Sequence, residues 1–268
     1  QNVAFLPPSA NPAVPPLPMP PPPGLDGQVG TFAANLDWVV ALGNRTSIRL
    51  TRLQRERDNR TRPLSLLPVL GDRFPGPPTL SRHHSFERER SSAEATFRLT
   101  SRTRFAAGIA RDERSRSLLE IEANEEDQQW LALRVRLPRS VGLSLRYTDS
   151  ERDASAYTAT SSNNPLTRRY FMAARKQTSW KASASAPLGS RLQAGFRLDH
   201  RENLYPESVL GVQRDEDRTW SGDLTVRIAK NVHLSLHRSR HQTRSDTAGS
   251  STGGAPDWVS GTHDTVRT

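Results

Sequence analysis

Apolar residues recur at every second position in paired runs, and a short turn-forming segment joins the two runs of each pair. A period of two belongs to β-strands whose two faces meet different surroundings, and it excludes an amphipathic helix. In LTVRIAKNVHLSLH, Leu224, Val226 and Ile228 share one face, while Thr225 and Arg227 share the other. Ala229-Lys230-Asn231 forms a tight turn, after which Val232, Leu234 and Leu236 alternate with His233, Ser235 and His237.

The same unit occurs four more times. Phe32 to Leu42 alternates, Gly43 to Arg45 turns, and Ile48 and Leu50 begin the return. Ala93 to Leu99, the turn Ser101 to Thr103, and Phe105 to Ile109 form the second hairpin. Leu131 to Leu137, the turn Pro138 to Ser140, and Val141 to Tyr147 form another. Trp180 to Ala186, the turn Pro187 to Ser190, and Leu192 to Leu198 form the next. Between hairpins lie long polar stretches, about Asn59 to Arg82, Arg111 to Asp127, Asp149 to Arg169, Arg201 to Arg218 and Gln242 to Pro256, all read as loops. Short turns on one edge and long loops on the other is the asymmetry of an outer-membrane barrel.

Four or five residues on the apolar face of each strand span about 25 to 30 Å, the thickness of a lipid core. Tyr147, Trp180 and Trp220 fall on that face at the end away from the short turns, where an interfacial aromatic girdle lies. The opposite face carries Asp37, Glu94, Asp199 and Asp223 against nine cations: Arg49, Arg98, Arg104, Arg134, Arg136, Arg146, Lys181, Arg197 and Arg227. A soluble β-sandwich with one wet face also alternates, but its core needs bulky side chains, whereas this apolar face is thin and partly alanine. The expected fold is therefore all-β, an antiparallel up-and-down transmembrane β-barrel. About ten strands are present, read as part of a larger barrel.

Composition agrees. Only 34% of the residues are hydrophobic and the mean hydropathy is −0.68, low for a globular chain of 268 residues. No run of eighteen apolar residues exists to make a transmembrane helix, which says nothing against a barrel. The net charge of +10 invites nucleic acid, but the arginines are spread over all strands and no nucleic-acid motif appears. The chain has no cysteine, which removes disulfides, thiolate metal sites and covalent haem attachment. His83 and His84 are adjacent and point oppositely, and His233 and His237 lie about 13 Å apart along one strand, too far to share an ion. The acidic run Glu122 to Gln129 lacks calcium-loop spacing and reads as a solvated loop. No nucleophile elbow or catalytic set emerges, so neither an enzyme nor a cofactor or metal site is expected.

Residues 1–30, with ten prolines from Pro7 to Pro23, read as a Pro-rich outer loop. Residues 31–241 form the hairpin array, and residues 242–268 a loop and the start of a further strand. The segments RRYFMAAR (Arg168 to Arg175) and YPESVLGVQ (Tyr205 to Gln213), the strands flanking them, and the early AFLPPSANP and LDGQVGTFAANL resemble the MtrB/PioB family of decahaem-associated outer-membrane barrels. The resemblance implies a barrel in the bacterial outer membrane that sheathes a periplasmic multihaem c-type cytochrome, in a porin-cytochrome conduit for electron transfer. It implies further that an outer-surface cytochrome docks on the loops, and that haem is carried by the partner rather than by this chain. The nine cations are then the expected partner-facing residues. The family's barrels are much longer and carry an N-terminal cysteine pair that this sequence lacks, so a fragment of such a barrel is expected. A general outer-membrane channel with an Arg-rich lumen is the alternative, and ten strands closing into a small barrel is an alternative to a larger sheet.

Overall fold

A computed structural model of the chain describes residues 27–62, 65–66, 79–80, 83–117, 121–155, 174–207, 211–248 and 261–267. The proline segment up to residue 26 lies outside the described residues, as do the larger parts of the expected loops 59–82, 149–169 and 242–256. Eleven strands form one antiparallel sheet: β1 (Val29–Leu42), β2 (Thr46–Asn59), β5 (Phe86–Arg98), β6 (Thr103–Arg116), β7 (Ala123–Arg136), β8 (Gly142–Ala154), β9 (Arg175–Pro187), β10 (Leu192–Leu204), β11 (Gly211–Ala229), β12 (Val232–Ala248) and β13 (Gly261–Arg267). The two-residue strands β3 (Ser65–Leu66) and β4 (Thr79–Leu80) pair with each other apart from it. Every strand of the large sheet pairs with its sequence neighbours, so the topology is a plain up-and-down meander. The first ten match the number of strands expected, and β13 pairs with β12 beyond them. The outermost strands, β1 and β13, do not pair with each other, so the sheet is open and the small closed barrel is not formed.

All five expected turns fall where the alternation breaks. Gly43 and Gly189 supply positive φ in two of them. In another, a 3-10 turn over Pro138–Ser140, Arg139 and Ser140 themselves take left-handed φ of 60° and 61°.

The register sets the faces. One row across the sheet runs Thr46, Phe97, Phe105, Leu133, Leu145, Ala182, Leu198, Trp220, all on the apolar face. This face is uncovered: Ile109 is 64% exposed and Leu36 65%. The polar face is the buried one, with Trp130 at 6% and Asp112 at 4%, although no second layer covers it. A single sheet buries one face only by curling toward it, so the polar face is the inner wall. The buried apolar residues among those described are just Ala110, Ile121, Trp130, Ala174 and Tyr205, too few for the core of a soluble sandwich.

The strands are longer than the hydropathy showed. Crossing a bilayer takes about 9 to 11 residues, whereas those of the main sheet before β13 run from 13 to 19. Much of the expected loops Arg111 to Asp127 and Arg201 to Arg218 is strand, including Ala123 to Gln129 of the acidic run, and β12 continues to Ala248. The physical reason is that beyond the hydrocarbon both faces are wet, so pairing no longer demands apolar side chains. Cross-strand ion pairs take their place, as in Arg52 with Glu89 and Lys176 with Glu151.

The curl yields a prediction. Leu133→Arg places a cation in mid-band on the lipid side and should destabilise the membrane-inserted protein by about 2 to 4 kcal/mol. Thr96→Arg on the inner face should cost less than half of that. Urea unfolding in lipid vesicles measures both, and equal costs would contradict the assignment of faces.

Candidate functional site: the cationic inner face

All nine predicted cations lie on the inner face, because each has the parity opposite to the exposed apolar residues of its strand. Pairing places Arg98 opposite Arg104 and Arg104 opposite Arg134, so three guanidiniums line up across β5, β6 and β7. One row further from the short turns, Arg146 stands opposite Lys181, and Lys181 opposite Asp199. Arg134, Arg146, Lys181 and Arg197 come together around a concavity of about 810 Å³, with Asp199 and Asp217 and hydroxyls such as Ser144 and Ser183 also in its wall. Arg136, Arg49 and Arg227 stand apart from it.

Eight of the nine have no carboxylate within 4 Å among the described residues. Arg49 is the exception, 3.0 Å from Asp37. Arg227 donates to the Ser190 carbonyl at 3.0 Å, and the Arg146 guanidinium carbon sits 5.0 Å above the Trp130 ring. Like charges directly opposite each other destabilise a sheet. The row Arg98, Arg104, Arg134 thus carries an electrostatic cost, and no carboxylate among the described residues pairs with these three guanidiniums.

The alternation of apolar residues does not single out Trp130. Its ring lies on the inner face over Gly108, where an added Cβ would fall 2.2 Å from the indole, and its Nε1–H donates to Glu94 at 2.9 Å. Gly108 stands opposite both Glu94 and Trp130, so β5, β6 and β7 are bolted by one glycine, one carboxylate and one indole, with Arg146 of β8 capping the ring. The parity of Leu131, Leu133 and Val135 would have placed Trp130 on the inner wall. Its position beside the acidic run hid it.

Beyond the apolar band the charges separate by face. On β5 to β8, Glu87, Glu89, Glu113, Glu125, Asp127, Asp149, Glu151 and Asp153 continue the outer face. Arg88, Arg90, Arg114, Arg116 and Arg152 continue the inner one, together with Asp112 and Glu126. Here several of the cations are paired with carboxylates. Arg88 and Arg114 bind Asp112 at 2.5 and 2.9 Å, and Arg175 binds Glu126 at 2.8 Å. Burial alone would push the Asp112 carboxyl up, but hydrogen bonds from Arg114 and Arg88 outweigh it and hold the group at about 2. Burial, reinforced by the nearby Arg175 cation, brings Arg152 down to about 10, so it stays charged at neutral pH. Tyr147 and Trp180 stack across β8 and β9 with centroids 4.4 Å apart on the outer face, and Trp220 lies opposite Leu198 one row nearer the short turns. These are the levels expected of an aromatic girdle.

An exposed apolar band, a polar curled interior, tight turns on one edge and charged strand extensions on the other define a transmembrane β-barrel of the outer-membrane type. The model of the family described as "Putative outer membrane beta-barrel porin, MtrB/PioB" matches residues 1–268, and the chain belongs to that family. It is also similar to the outer membrane protein MtrB of Shewanella baltica (strain OS185), with 23% identity over 248 residues, covering 90% of this chain. The chain spans 35% of that relative's length. The protein is an outer-membrane β-barrel protein.

Two outcomes follow. Gly108→Ala drives a methyl group into the Trp130 ring and should destabilise the fold by about 1 to 3 kcal/mol, read as a lower unfolding midpoint. The Asp112 carboxyl, at about 2 in the fold and about 3.9 when unfolded, contributes stability that is present above pH ~4 and lost as pH falls through 2. Asp112→Asn should therefore be less stable than the wild type at pH 7 and approach it near pH 2. Unfolding midpoints across that range measure the convergence.

Proposed function

We propose that this inner wall forms part of a sheath around a multihaem c-type cytochrome, in a porin-cytochrome conduit that carries electrons across the outer membrane. The observation that supports this most is the contrast in pairing. Beyond the membrane Arg88, Arg90 and Arg114 gather on Asp112 and Arg175 on Glu126, whereas eight cations at membrane level have no carboxylate within reach among the described residues. A multihaem cytochrome presents haem propionates and acidic side chains, and guanidiniums meet such groups with charge-assisted, often bidentate hydrogen bonds. In this reading the chain supplies no redox group. It excludes lipid, holds the haem carrier in register, and leaves its charged outer strands to an outer-surface cytochrome. The family description, which names a porin, favours a second reading: an open channel whose cationic wall passes anionic solutes.

The test is purification of the tagged full-length protein from its native outer membrane, with haem absorbance measured per barrel. The sheath reading expects a stoichiometric multihaem cytochrome. It also expects recovery of haem to fall about tenfold or more in R134Q/R146Q/K181Q/R197Q, with folding checked by gel mobility before and after heating. A haem-free wild-type barrel that conducts small anions after reconstitution would establish the channel instead.

A further inference from the structure

Each of the five short connections between paired strands carries one cation and no acid: Arg45, Arg102, Arg139, Arg191 (directly after the turn Pro187 to Ser190) and Lys230. All five side chains are exposed, and none has an ion pair among the described residues. Two or three residues before each cation stands an exposed apolar side chain: Leu42, Leu99, Leu137, Leu188 and Ile228, between 42% and 58% exposed. The pairing is repeated around the sheet, with an apolar group at the last level of the lipid-facing band and a cation one step beyond it. Three of the turns are also fixed to the next hairpin through the cation's own backbone. The carbonyls of Arg45, Arg102 and Arg191 accept hydrogen bonds from the amides of Arg98, Arg136 and Arg227 at 2.7 to 2.8 Å. Arg139 occupies a left-handed position, where asparagine or glycine is the less strained choice.

From this geometry we infer that the short-turn rim is a basic collar seated on the phosphates of anionic phospholipids in the periplasmic leaflet. Short turns of such barrels face the periplasm. Cations one step beyond the apolar band stand at headgroup depth, where arginine and lysine attract anionic lipid. The collar is continuous with the lipid-facing band and separate from the inner wall, so it holds whatever occupies the lumen. An acidic soluble protein is a poorer fit, since each cation is paired with an apolar residue that a water-facing dock has no use for. The collar fixes the depth of the barrel and resists its sliding along the membrane normal.

The test uses the full-length protein in vesicles of equal parts phosphatidylcholine and phosphatidylglycerol at low salt. It is extracted with mild detergent, and the retained lipid is identified by mass spectrometry. Retained phosphatidylglycerol should exceed phosphatidylcholine by about fivefold or more, the preference conferred by one surface cation. R45Q/R102Q/R139Q/R191Q/K230Q should retain the two lipids equally, while the wild type and R45K/R102K/R139K/R191K keep the preference. Should the glutamine variant fail to fold, the wild type in 1 M salt, where screening acts within about 3 Å, decides: the preference must vanish. Equal retention by the wild type at low salt overturns the inference, as does a preference that survives substitution or salt. Retention of an acidic periplasmic protein through these turns in place of lipid overturns it also.

Discussion

Everything in this structure depends on the need to pair backbone amides and carbonyls where no water is present. In hydrocarbon each unpaired group costs several kcal/mol, so a strand can cross only as a member of a ladder. The meander satisfies this with neighbours alone, every strand bonding to those before and after it in sequence. Two edges remain, on β1 and β13, and β1 is exposed along almost its whole length. An outer-membrane sheet closes such edges with further strands, and the relative of which this chain spans 35% has the length to provide them. Side chains are then free to follow surroundings: lipid on one face, an enclosed space on the other.

That freedom explains the layout of charge. Outside the band, water on both faces lets arginine and glutamate alternate along a strand, as in Glu87-Arg88-Glu89-Arg90, so that opposite charges segregate to opposite faces while pairing across strands. Asp112 collects Arg88, Arg90 and Arg114, and Glu126 takes Arg175. Within the band the inner face loses most of its acids. Glu94 is engaged with Trp130 and Asp37 with Arg49, Asp199 stands opposite Lys181, and Arg98, Arg104 and Arg134 face one another. A sheet selected for stability alone would not place Arg98, Arg104 and Arg134 directly abreast.

The alternation of apolar residues made the strands, the turns and the assignment of faces legible, because lipid imposes hydropathy at period two wherever it touches the sheet. Where lipid ends, that signal ends too. The strand extensions through Arg111–Arg116, Ala123–Gln129 and Arg201–Leu204 are not distinguishable from loops in the sequence, since polar side chains at every position look the same whether or not the backbone is paired. Charge alternation was the signal left there, and ERER carries it. The inner-wall cations were legible one by one from parity, but which of them adjoin depends on register. Register is fixed by turn geometry across several hairpins, so the grouping of Arg134, Arg146, Lys181 and Arg197 emerged only from the fold. Trp130 shows the same limit from the other side: its face was computable, while its seat on Gly108 required knowing that β6 and β7 pair at those two residues.

The Trp130 seat also links wall and lumen. Gly108 lets the indole lie flat against the sheet, Glu94 fixes its edge, and Arg146 covers its face, so one of the lumen cations is oriented by an aromatic ring and not by a carboxylate. A carboxylate partner would neutralise Arg146 and withdraw it from an anionic ligand. A ring attracts the cation through its quadrupole while leaving its charge and its outward-facing donors available. Arg146 borders the same concavity as Arg134 and Lys181. The arrangement therefore holds a guanidinium in place without satisfying it, which is what a wall needs if its positive charge is to act on something inside the barrel.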